Sequence, residues 1–121
     1  DINLTSTASD AKGLVCDGNM NISESSATTT ITIEAAGEGY LDDLGEKIRT
    51  TGLKCEYTVT IEAGTININA SGKYARGMRA ATLVANGGVT IVKNTGSGSQ
   101  GIKLDNVFVN TGGTVTGTFK Y

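Results

Sequence analysis

The chain has no histidine, no proline and no tryptophan, and only two cysteines among its 121 residues. Without histidine it lacks the commonest general base and metal ligand, which removes Ser-His-Asp and Cys-His mechanisms and His-based zinc sites. Without tryptophan a sugar-stacking platform loses its best component. No apolar run approaches the roughly 20 residues that span a bilayer, so membrane insertion is not expected. A large excess of one charge is missing too: 10 basic and 12 acidic residues leave a formal charge of −2, and nucleic acid is not an expected partner. The sequence begins without methionine and without a charged-then-apolar leader, so an export signal, if the protein has one, is not in it.

What is present is glycine, 17 in all, with threonine and asparagine in nearly every segment. That composition favours strands and tight turns. The phrase "GLKCEYTVTIEAGTINI" at 52–68 returns as "GMRAATLVANGGVTI" and "GIKLDNVFVNTGGTV", and upstream as "GLVCDGNMNISESSATTTITI". Gly52, Gly77 and Gly101 lead units of 24 to 25 residues, and Gly13 leads a longer one. Each unit holds three bursts in which apolar and polar residues alternate, the signature of strands.

Six inward columns fall into register across the units. The first burst aligns Leu14, Leu53, Met78 and Ile102, then Cys16, Cys55, Ala80 and Leu104. The second aligns Met20, Val59, Leu83 and Val107, then Ile22, Ile61, Ala85 and Val109. The third aligns Ile31, Ile66, Val89 and Val115, then Ile33, Ile68 and Ile91, with Gly117 closing the column. No unit can bury such a face alone, but stacking units about 4.8 Å apart joins the columns into one core. The pattern predicts an all-β right-handed single-stranded parallel β-helix, a solenoid with three strands per coil. An antiparallel sandwich with turns every 8 to 12 residues competes, and the constant column register argues against it.

A single domain over residues 1–121 is expected, with about four coils and a partial N-terminal coil in which Ile2 lies over Ile66 and Leu4 over Ile68. That partial coil suggests a piece of a longer chain, or a cap at this end. About ten extra residues, "YLDDLGEKIR" near 40–49, place Tyr40, Leu41, Leu44 and Ile48 at helical spacing. They are expected to form a short amphipathic helix or an irregular loop. Extra residues in "SESSATTTITI" are expected to bulge another corner.

Residues between the inward columns form outward ladders. Val15, Lys54, Arg79 and Lys103 run beside Asp17, Glu56, Ala81 and Asp105, a basic ladder next to an acidic one. The two can simply neutralise each other, or the cations can match the carboxylates of a uronic-acid chain, with Lys12 and Arg76 extending the stripe. Tyr57 or Tyr74 can supply a sugar contact. The ladders Thr30, Thr65, Thr114 and Thr32, Asn67, Thr90, Thr116 suit a pleated surface, and a flat threonine array can also order ice. Phe108 is expected outward beside Val84.

Asp42, Asp43 and Glu46 form the densest acidic cluster, either a solvated face or a calcium site completed by Asp17 or Glu56; their spacing matches no EF-hand loop. Cys16 and Cys55 share an inward column on adjacent units, where parallel Cβ vectors favour two buried thiols over a disulfide. Neither has a base beside it. The sequons at Asn3, Asn21 and Asn69 arise easily in such a composition.

The phrases "AKGLVCDGNMNI", "SQGIKLDNVFV", "GTINI" and "GGTVTG" resemble a family of bacterial secreted carbohydrate-binding domains with a parallel β-helix fold, over nearly the whole chain from Ile2 to about Thr118. The family pattern reads Gly-Ile-Lys-Ala-Asp-Gly, an alternating strand, Gly-Gly-Thr and a second alternating strand. The resemblance implies a secreted or surface-attached, non-catalytic protein that binds polysaccharide, in some members with calcium. This chain departs from the pattern at Glu56, Ala81, Tyr57, Thr82 and the ten-residue insertion.

Three classes of function remain open: a polysaccharide-binding module using Lys54, Arg79, Lys103, Arg76 and Tyr57; a structural or adhesin segment joined to further coils or domains; and a relative of polysaccharide lyases or hydrolases. The last would need a carboxylate cluster or a calcium–arginine site in a groove, for which only Asp17, Glu56, Arg79 and the insertion are available.

Overall fold

A computed structural model describes residues 1–23 and 29–121. The bulge expected within residues 23–33 lies in part outside the described residues. Along the chain run β1 (Ile2–Ser6), β2 (Lys12–Cys16), β3 (Met20–Ile22), β4 (Thr30–Ala35), β5 (Tyr40–Leu41), β6 (Lys47–Ile48) and β7 (Thr51–Cys55). They are followed by β8 (Thr58–Ile61), β9 (Thr65–Ala70), β10 (Arg76–Ala85), β11 (Val89–Asn94), β12 (Gln100–Asn110), β13 (Thr114–Thr116) and β14 (Phe119–Lys120). Among the described residues there is no helix.

The fold is all-β and mostly parallel. One sheet has the order β1-β4-β9-β11-β13 and a second runs β14-β12-β10-β7-β2, with β3 and β8 joined to it through β10. The chain alternates between the two sheets, and each return adds a parallel strand beside the previous one. Ile33, Ile66, Ile68 and Val92 of the first sheet share one buried cluster with Leu53, Val59, Met78, Leu83 and Ile102 of the second. Hydrophobic residues sit between the two sheets because alternation sends every second side chain of each strand to that side.

The first-burst register matches the sequence columns: Leu14 pairs with Leu53, Leu53 with Met78 and Met78 with Ile102. Ile2 pairs with Ile31, which pairs with Ile66. The lead glycines stack in this register because backbone runs close there; a Cβ on Gly52 would lie 2.7 Å from the carbonyl oxygen of Gly77.

Four expectations are corrected. First, the third unit's last strand is shifted by one residue: Ile66 pairs with Thr90 and Ile68 with Val92. Thr90 is buried, whereas Val89 is 37% exposed. Gly64 and Gly88 both turn with positive φ, and the strand counts from that turn rather than from the nearest branched residue. Val89 and Ile91 therefore interrupt the outward threonine ladders.

Second, the fourth unit carries a bulge between the first and second bursts, so Leu83 pairs with Phe108 and Val84 with Val109. Phe108 packs against the core, while Val107 and Val109 face out. An extra residue flips every side chain after it to the opposite face. Third, the first and second bursts merge in the last two units into the single long strands β10 and β12.

Fourth, the insertion is neither helix nor irregular loop but an antiparallel hairpin, with Tyr40 opposite Ile48 and Leu41 opposite Lys47. Asp42 Oδ1 accepts the N–H groups of Leu44 and Glu46, each at 2.9 Å, and Gly45 has φ +79°. A carboxylate that satisfies two turn amides, followed by a left-handed glycine, outweighs helical spacing over so short a stretch.

Candidate functional site

The hairpin places Lys47 and Arg49 beside the N-terminal ends of β2, β7 and β10 in the second sheet. Arg49 Nη1 donates to the carbonyl oxygens of Tyr74 at 3.0 Å and Gly98 at 3.1 Å, tying the end of the hairpin to two corners that follow it in sequence. The ammonium groups of Lys47 and Lys73 lie 5.5 Å and 5.1 Å from the centre of the Tyr74 ring, within cation–π range.

Between hairpin and sheet lies a groove of about 400 Å³ lined by the cations Lys12, Lys47, Arg49, Lys54, Arg76 and Arg79. Asp10 and Glu56 are the carboxylates of its lining. Asp10 is already paired with Lys12. The strands explain the convergence: Lys12 pairs with Thr51, which pairs with Arg76, while Lys54 and Arg79 stand in the neighbouring ladder. Arg76 is half-buried, and its Nε donates to Gln100 Oε1 at 2.9 Å. Desolvation lowers its pKa most, and repulsion from Arg49 and Arg79 adds to this against the attraction of Asp105, bringing it to about 10. Burial also lowers the pKa of Arg49. Both guanidiniums remain charged at neutral pH, so the groove holds crowded cations.

Of the residues singled out from the sequence, Lys54, Arg76 and Arg79 meet in this groove. Lys103 continues the ladder beyond it and pairs with Asp105 at 3.5 Å. Tyr57 stands at a corner, 58% exposed, outside the groove lining. Lys47 and Arg49, which also line the groove, were not singled out from the sequence. Their signal was the run "EKIR", a pair of cations inside an insertion, but nothing local says which face an insertion will meet.

Asp42, Asp43 and Glu46 lie on the hairpin, where Asp42 is engaged by backbone amides. No group of three acidic, thiol or imidazole ligands is gathered among the described residues. Cys16 and Cys55 are adjacent free thiols, and Cys55 Sγ donates to the Gly18 carbonyl oxygen at 3.0 Å. Burial pushes the Cys55 thiol up, which keeps it protonated and unreactive at neutral pH. No protein-family model matches the chain, and no match is found among curated proteins or solved structures.

Proposed function

We propose that the chain is a right-handed single-stranded parallel β-helix that binds acidic polysaccharide, without transforming it, in an extracellular or cell-surface setting. The chain's repeated return to two parallel sheets supports the β-helix, and the strong right-handed preference of parallel crossovers supports its hand. The resemblance to secreted carbohydrate-binding domains supports the ligand class.

The observation that carries the binding reading is the groove itself: six cations face two carboxylates in a chain whose net charge is negative. Gathering like charge against the overall balance costs stability, and a polyanion offsets that cost. Cations on successive units repeat at the strand spacing of about 4.8 Å, comparable with the rise per residue of an extended sugar chain.

The test is binding to a panel of acidic and neutral polysaccharides, with calcium or with a chelator, by the native chain and by the triple variant Lys54→Ala, Arg76→Ala, Arg79→Ala. Binding confined to acidic chains, weakened by salt and lost in the variant, is expected. Absence of binding by the folded native chain would replace this reading with a structural or adhesin segment. The pairing of Arg79 and Lys103 with Asp105 favours that second reading, because it neutralises part of the ladder internally.

A further inference from the structure

We propose that the groove selects a tetrahedral oxyanion ester on a sugar, sulfate or phosphate, over a carboxylate, and that Arg49, Lys47 and Arg76 form the subsite that reads it. This rests on the acidic-polysaccharide reading and narrows its ligand.

Two independent observations carry it. A sugar carboxylate would be expected on the regular ladder of Lys54, Arg79 and Lys103, but a carboxylate already occupies two of its three rungs. Asp105 accepts two hydrogen bonds from Arg79 Nη2, at 3.1 and 3.3 Å, and lies 3.5 Å from Lys103 Nζ. Of the six cations lining the groove, Lys47, Arg49, Lys54 and Arg76 have no carboxylate partner among the described residues, and all of these but Lys54 lie toward the hairpin. There a second cavity of about 360 Å³, lined by Lys47, Arg49 and Arg76 with Glu46, adjoins the groove and shares those three cations with it.

The second observation is the arrangement of donors. Arg49 is held by the Tyr74 and Gly98 carbonyls and Arg76 by Gln100, so both guanidiniums are fixed before a ligand arrives. A planar carboxylate matches one guanidinium edge with its two oxygens. A sulfate or phosphate ester offers three free oxygens in a tripod and can reach two fixed guanidiniums and the Lys47 ammonium together. A sulfate ester also sheds water more readily than a carboxylate, which suits weakly hydrated guanidinium.

The experiment uses one backbone with different anions: dextran sulfate, dextran phosphate and carboxymethyl-dextran of matched length and charge density, with neutral dextran as control. At least one ester is expected to bind about tenfold or more tighter than the carboxymethyl form, roughly 1.4 kcal/mol, and the two ester arms identify which. Lys47→Ala is expected to erase most of that preference, and Lys93→Ala on the other sheet to leave it unchanged. Carboxymethyl-dextran binding as tightly as both esters, or a preference untouched by Lys47→Ala, would overturn the inference while leaving acidic-polysaccharide binding in place. No binding to any charged dextran by the folded chain would overturn both.

Discussion

Arg79 and Asp105, 26 residues apart in sequence, form a two-pronged ion pair across adjacent strands, with Arg79 Nη2 3.1 Å from Oδ2 and 3.3 Å from Oδ1. Asp105 also holds Lys103, so one carboxylate occupies two rungs of the basic ladder. The Asp105→Asn variant is expected to bind acidic polysaccharide several-fold tighter, because two cations are released to the ligand. The pair is partly exposed, so the loss of stability should stay below about 1 kcal/mol. Titration with polyanion and chemical denaturation check the two halves; unchanged affinity would place the ligand away from this ladder.

Arg76 makes the opposite trade. Its guanidinium, mainly through desolvation, is held down to about 10. The native state therefore holds this proton less tightly than the unfolded chain. Stability from this group rises with pH only between about 10 and the ordinary guanidinium value, and its burial is unfavourable at all lower pH. Arg76→Gln is expected to raise the thermal midpoint of the ligand-free protein at pH 7 and to weaken polyanion binding about tenfold or more. A lower midpoint would show that the contact with Gln100 outweighs the desolvation and the repulsion together.

The register of β11 is checked by two valines three positions apart in the strand. Val92 is 3% exposed and packs in the core cluster, whereas Val89 is 37% exposed. Val92→Ala should cost about 2 kcal/mol in denaturant unfolding and Val89→Ala less than about 0.5. The reverse order would restore the simple hydrophobic alternation.

Asp42 controls the hairpin. Asp42→Ala removes the acceptor for the amides of Leu44 and Glu46 and should destabilise the turn by about 1 kcal/mol. Those two amides are expected to exchange hydrogen faster, with strand amides in the core unchanged. Affinity for acidic polysaccharide should fall with them, since Lys47 and Arg49 follow directly on the turn. Faster exchange with unchanged affinity would remove the hairpin from the site.

Much of the fold was legible because strand alternation and a repeat are local properties that survive without coordinates. Leu14, Leu53, Met78 and Ile102 could be aligned by counting from the lead glycines, and they pair in that order. Counting failed where one backbone residue changed the phase. The bulge before Val107 and the glycine turn before Val89 each moved a hydrophobic pair outward, and Phe108 and Thr90 took the inward places. Both substitutes can occupy a core column, so composition carried no warning. The candidate site was legible to the same extent: Lys54, Arg76 and Arg79 lie on strands and could be placed by register.

The sequence alone determined that these 121 residues carry no histidine, that their strands repeat with a period of 24 to 25 residues, and that cations recur on one face. Tertiary structure alone decided that those cations form a groove. Arg49 reaches Tyr74 and Gly98, 25 and 49 residues further on, and that docking brings the hairpin's charges against Arg76. Periodicity follows from each residue's own strand, whereas the groove depends on long-range hydrogen bonds that no spacing within the insertion encodes.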